Sequence, residues 1–105
     1  MKKAHYEKAL KIGKHGNGKR VVIWATKMIE AGFDFGTPIT IKQSKRGLTI
    51  VTGGGPRVVC SVMNHGRRLP VIDLKGKLVD SFDTSHALDK IVDNKITITP
   101  TEVDA

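Results

Sequence analysis

A pattern of about fifty residues runs through this chain twice, and that repetition limits the folds open to it more than any other feature. His15-Gly16 followed by Lys19-Arg20 is echoed by His65-Gly66 followed by Arg67-Arg68. Val22-Ile23 matches Val71-Ile72, Phe33-Asp34 matches Phe82-Asp83, and Leu48-Thr49-Ile50 matches Ile96-Thr97-Ile98. The His-Gly, basic-pair and Phe-Asp matches are not generic strand residues, so chance likeness between short apolar strands accounts for them poorly. A unit repeated in this way is one that cannot close a core alone, and two together complete it. The expected division is a basic arm at 1–8, a first unit at 9–52, a Gly-rich link at 53–56, a second unit at 57–100 and a tail at 101–105. All of it belongs to a single domain.

The first unit is the more legible. Residues 18–50 read GKRVVIWATKMIEAGFDFGTPITIKQSKRGLTI. A basic pair leads into the apolar run Val21-Val22-Ile23-Trp24, a strand. Residues 26–31 follow as a short helix closed by Gly32. Phe33 and Phe35 then flank Asp34, and Gly36 precedes the strand Ile39-Thr40-Ile41. Ser44-Lys45-Arg46-Gly47 turns the chain into Leu48-Thr49-Ile50. A helix of one or two turns is unstable alone in water, so it must cap something built of strands. Upstream, residues 9–12 form a short strand or helix, and GKHGNG at 13–18 is expected to be a loop.

In the second unit, residues 57–63 are valine-rich and read as a strand. Asn64-His65-Gly66 is a turn. Residues 68–74 form another strand, which Pro70 confines to an edge, a bulge or a strand start. Residues 75–82 are helical only briefly, and 87–92 are a strand. Asp93-Asn94 is a tight hairpin turn, and Pro100 is expected to stop the strand around Ile96-Thr97-Ile98. The 105 residues suit one domain that buries roughly 65% of its unfolded surface. Eleven glycines and few aromatics favour many short strands over a helical bundle.

Charge bears on function. The chain carries a net charge of +8, and the charge is placed unevenly. Lys2, Lys3, Lys8, Lys11, Lys14, Lys19 and Arg20 stand against Glu7 alone in the first stretch, whereas the other end closes on Glu102 and Asp104. That asymmetry points to a polyanion at one end; the plain alternative is a solvated basic surface serving solubility. The single cysteine, Cys60, excludes an internal disulfide and lies in an apolar run. It is expected to be a buried small hydrophobe in a reducing, cytoplasmic setting. No apolar stretch is long enough to span a membrane, and Lys2-Lys3 lacks the apolar core of a signal peptide.

No enzyme chemistry, metal or cofactor is expected. His5, His15, His65 and His86 have no partner at helical spacing, and there is no second cysteine for a zinc site. Gly13, Gly18 and Lys19 match most of a phosphate-binding loop. Arg20 replaces the required hydroxyl, however, and a strand follows where a helix is needed. Asp73, Asp80, Asp83, Asp89 and Asp93 read as turns and solvated faces, so no nucleophile–base pair can be argued.

The basic residues are the stronger signal. Lys14, His15, Lys19 and Arg20 flank one hairpin turn; His65, Arg67 and Arg68 flank its counterpart. With the halves packed about a pseudo-two-fold axis, both turns are expected to project from one face and straddle a phosphate backbone. Lys2, Lys3 and Lys8 add charge from the arm, and Lys42, Lys45 and Arg46 form a second patch. The two histidines either contact phosphate or serve the turn geometry. Scarce aromatics argue against stacking on single strands, so duplex DNA is the expected partner. RNA and an acidic protein are the alternatives.

These residues carry a family resemblance. GKRVVIWATKMIEAGFDFGTPITI resembles the swapped-hairpin AbrB/MazE/SpoVT-like domain, with its Gly, basic residue, apolar strand, short helix, Gly-apolar step and two further strands. RRLPVIDLKGKLVDSF is similar to the SymE branch of that superfamily. Leu69-Pro70, Gly76-Lys77 and Ile96-Thr97-Ile98 fall where the SymE-like pattern places them, as do Ala31-Gly32-Phe33 and Gly36 in the first unit. Trp24 stands where AbrB-like chains usually have proline, and the second unit lacks the glycine before Phe82. The resemblance implies a mainly β fold with short helices, in which two swapped-hairpin units form a pseudo-dimeric β-barrel. Family members usually carry one unit and form homodimers, so two units in one chain imply a monomeric pseudo-dimer. It further implies DNA binding as a transcriptional regulator or antitoxin, through basic residues of the first hairpin. The alternatives it leaves are a SymE-like toxin acting on RNA and a mobile-element inhibitor that binds an acidic protein.

Overall fold

A computed structural model describes residues 6–16, 18–24, 26–55 and 57–102. Strands β1 (Tyr6–Lys11), β2 (Gly13–His15) and β3 (Gly18–Trp24) lead to the single helical turn α1 (Lys27–Glu30). Strands β4 (Pro38–Ser44) and β5 (Gly47–Thr52) complete the first half. The second half runs β6 (Arg57–Val58), β7 (Cys60–Asn64), β8 (Arg67–Lys75), a 3₁₀ turn (Gly76–Leu78), β9 (His86–Val92) and β10 (Lys95–Thr101). The chain is mainly β, as its apolar periodicity implied. Three local expectations change. Tyr6, Glu7 and Lys8 belong to β1 rather than to an arm. Gly13 to His15 pair with Gly18 to Arg20 as two strands of a hairpin rather than lying in an open loop. Pro100 does not end β10, because it sits in register opposite Ala87 and the strand continues to Thr101.

The strands form two sheets. One has the order β1-β9-β10-β5-β4-β6, the other β2-β3-β8-β7. Two segments pass from one sheet to the other. At Ile12, between β1 and β2, the backbone N–H donates to the Ser85 carbonyl at 3.0 Å. At Val59, between β6 and β7, it donates to the Thr37 carbonyl, also at 3.0 Å. Among the described residues no ladder joins the two sheets, so the expected closed barrel is not formed. Chains that switch sheets at such corners give two packed layers instead. Exchanging β1 to β5 with β6 to β10 returns each strand order read backwards.

The core lies between the sheets, and strand alternation explains its membership. Ile39, Leu48, Ile50, Ile91, Ile96 and Ile98 face inward from the larger sheet; Val21, Ile23, Ile72 and Leu74 do so from the smaller. Each such side chain contributes roughly 1.5–3 kcal/mol on burial. Met28 and Phe33 enter the same core around α1, and Val79 and Phe82 enter it after the 3₁₀ turn. A four-residue helix persists here because Met28 is wholly buried, not through helix propensity.

Candidate functional site

The two basic hairpins do not share a face. In the smaller sheet β3 and β8 are antiparallel, with Arg20 opposite Lys75 and Trp24 opposite Val71. The β2–β3 turn therefore lies at the Lys75 end of β8, and the β7–β8 turn lies beyond the other end. The nine residues of β8 separate them by about 30 Å. The expectation of one face straddling a phosphate backbone is overturned, because a symmetric arrangement about this central strand pair sends the turns in opposite directions.

The basic pair of the first hairpin is also engaged within the chain. Arg20 grips Asp73 with both prongs of its guanidinium, Nε to Oδ1 at 2.9 Å and Nη2 to Oδ2 at 2.8 Å. That bond holds the guanidinium pKa above its usual value. The backbone N–H of Lys19 donates to Asp80 Oδ1 at 2.9 Å, and its Nζ donates to the Phe82 carbonyl. Register separates the sequence matches further. His15 pairs with Gly18 and Asn64 with Arg67, so His65 takes the place of Gly16, and Leu69 that of Arg20. The His-Gly and basic-pair matches are thus one residue out of structural register, and in a strand one residue reverses the face. His65 serves its turn: with φ at 51° and Gly66 at 77°, the pair supplies the two left-handed positions of a type I′ hairpin. The side chain of His15, and Lys2 and Lys3 altogether, lie outside the described residues. Lys8 is exposed on β1, in register with Asp89.

Tertiary packing brings a different set of cations together. Gln43 Nε2 donates to the Lys77 carbonyl at 3.0 Å, which sets the β4–β5 tip, with Lys45 and Arg46, beside the 3₁₀ turn. The Lys19–Asp80 bond joins the β2–β3 hairpin to the same place. Lys14, Lys42, Lys45, Arg46 and Lys77 are exposed around this end, and none has an ion pair among the described residues. Lys75 adjoins them, 4.0 Å from Asp73 Oδ2. The expected first hairpin and second patch therefore meet, whereas Arg67 and Arg68 lie apart. Their end is electrically mixed. Lys27 pairs with Glu30 at 3.3 Å, Asp34 and Asp93 lie nearby in the chain turns, and Arg68 stacks 5.7 Å over the Phe35 ring. Sequence reasoning missed Lys75 and Lys77, since only long-range packing delivers them to the cluster.

The smaller sheet has an unexpected outer face. Cys60 is expected to be buried in its apolar run, yet among the described residues no layer covers the outside of this sheet. Val22, Trp24, Cys60, Val62 and Val71 line a groove of about 530 Å³, bounded by the Arg20–Asp73 pair. Trp24 is 51% exposed and Met63 61%. Cys60 is exposed on this face rather than buried. Leu69 faces outward by register but is covered by its neighbours.

Asp89 departs from its reading as a surface carboxylate. It is buried on β9 with Oδ1 lacking a partner, and burial pushes its pKa up to about 7. Burial, and then the nearby Asp89 carboxylate, raise the pKa of the Tyr6 phenol. The phosphate-loop motif resolves into the β2–β3 hairpin, with no helix N-terminus to receive a phosphate. Among the described residues no His, Cys, Asp and Glu cluster is arranged to hold a metal, and no helix is long and apolar enough to cross a membrane. Comparison with protein-family models, with curated proteins and with solved structures returns no significant match to this chain.

Proposed function

We propose that this protein is a small non-catalytic regulator that binds duplex DNA with the end formed by the β2–β3 hairpin, the β4–β5 tip and the 3₁₀ turn. The observation that carries the reading is the Gln43–Lys77 hydrogen bond, which gathers unpaired cations from separate parts of the chain. Cations without acidic partners release condensed counterions when they meet phosphates, and that release drives association. Lys14, Lys45, Arg46 and Lys77 replace Arg20, Arg67 and Arg68 as the principal phosphate contacts. Among the described residues no large aromatic is exposed at this end to stack single-stranded bases, which favours duplex. The swapped-hairpin, AbrB- and SymE-like kinship belongs to the same proposal. It is supported by the reversible strand orders and by the exchange of β1 and β6 onto the other half's strands. Both units in one chain then act as a folded monomer.

Anisotropy titrations with duplex DNA, single-stranded DNA and RNA across a salt series test this. Duplex is expected to bind tightest. Replacing Lys45 and Lys77 by Ala together is expected to flatten the slope of log affinity against log salt by about 1.8. Replacing Arg67 and Arg68 by Ala is expected to change it little. The reverse outcome would place the contact at the other end of the molecule.

A further inference from the structure

The edges of the two sheets are guarded unequally. Edge strand β1 carries Glu7, Lys8 and Lys11, β2 carries Lys14, and β6 is two residues long and includes Arg57. Edge strand β7, Cys-Ser-Val-Met-Asn, has five residues with neither charge nor proline. Among the described residues nothing pairs with its outer side. Unprotected edges of this kind are templates for another strand, and proteins normally blunt them with lysine, proline or brevity. Beside β7 lies the apolar groove that Trp24 and Val62 help to line. A strand added to β7 would turn every second side chain toward that groove.

We infer that β7 and its groove take an extended segment of a second protein, apolar at alternate positions and acidic at both ends, as a fifth strand of the smaller sheet. Charge selects this occupant. Arg57 lies just before β7, its Nη2 donating to the Asp73 carbonyl, and Arg67 is paired with Asn64 at the far end of the strand. The one carboxylate in the groove, Asp73, is already engaged by Arg20. Acidic residues flanking the segment therefore meet a cation at each end. A second copy of this chain fits poorly: antiparallel pairing of two β7 strands brings the Arg57 end of one beside the Asn64–Arg67 end of the other, and parallel pairing brings like ends together. Both arrangements crowd cationic ends together, which is unfavourable. This inference does not rest on the DNA reading.

Trp24 is the only tryptophan and reports directly on the groove. The probe is a synthetic peptide, EEVSVSVEE, with KKVSVSVKK as its control. The acidic peptide is expected to shift Trp24 emission to the blue in a saturable way and to protect β7 amides from hydrogen exchange. Val62→Lys, placing a charge in the seam, is expected to weaken binding about tenfold or more. Arg57→Glu with Arg67→Glu, checked by circular dichroism for an unchanged fold, is expected to exchange the preference to the lysine peptide. Lys45→Ala with Lys77→Ala should leave peptide binding intact, which separates this proposal from DNA binding. Equal binding of both peptides, or no Trp24 shift and no β7 protection, would overturn it. So would β7 protection that grows with protein concentration alone, since that assigns the edge to a second copy.

Discussion

Residues 6–52 and 57–101 follow the same strand order but differ at matched positions. In the β4–β5 hairpin Ser44 pairs with Gly47; in the β9–β10 hairpin Val92 pairs with Lys95. Counting back from those turns, Ile41 of the first half stands where the second has Asp89. Ile41 packs against the core, whereas Asp89 buries a carboxylate with an unsatisfied oxygen. The helical element is a full α-turn around Met28 in one half and a 3₁₀ turn in the other. The ends differ as well: one gathers exposed cations without ion pairs beside Asp80, while at the other Lys27 pairs with Glu30 and Arg68 lies over Phe35. The comparison teaches that an inside–outside alternation is enough to preserve a strand order, and that individual positions can then diverge in charge and packing.

The largest effect is expected at the Ile41–Asp89 contrast. A carboxylate with a folded pKa of about 7 and an ordinary unfolded value near 4 costs nothing extra below about pH 4, where both states are protonated. As pH rises from about 4 to about 7 the unfolded state ionises first, and stability falls by on the order of 4 kcal/mol in all before levelling off. Asp89→Ile, which restores the residue of the first half, is expected to remove that fall. Urea titrations of both proteins between pH 4 and pH 8 measure it. A wild-type stability that is flat or rises over this window would show that Asp89 is solvated.

Next in size is the helical turn. Met28→Ala is expected to cost about 2–5 kcal/mol by opening a cavity, and Leu78→Ala, half-buried on the 3₁₀ turn, distinctly less. Equal losses by chemical denaturation would mean that the two turns share the core evenly. Gly47 and Lys95 come third. Gly47 has φ at 145°, and a Cβ there would sit 2.1 Å from the Ile98 carbonyl oxygen. Gly47→Ala is expected to destabilise by about 1–3 kcal/mol, while Lys95→Ala at the matched position changes stability little. The smallest effect concerns the hairpin in which His65 replaces Gly16. His65→Asn, which suits a type I′ turn, is expected to raise stability by about 0.5 kcal/mol, seen as a small increase in Tm. A loss instead would show that the imidazole has a role beyond its turn.

Local pattern determined much of this protein. Alternating apolar residues such as Ile96-Thr97-Ile98 declare a strand wherever they stand, and Ser44 to Gly47, His65-Gly66 and Asp93-Asn94 declare turns through their own backbone preferences. The short helix followed from the same reasoning. Register and partnership were decided only by the tertiary structure. Sequence could not tell that Arg20 would find Asp73, because those residues meet only when β3 and β8 pair. Nor could it show that Lys45, Arg46 and Lys77 converge, since one hydrogen bond between distant elements sets their approach. The basic hairpins looked equivalent in sequence and lie at opposite ends in space, because strand direction is a property of the pair. Apolar runs in β3 and β7 predicted strands correctly, but hydrophobicity alone does not say whether a face is covered by this chain or left open for another.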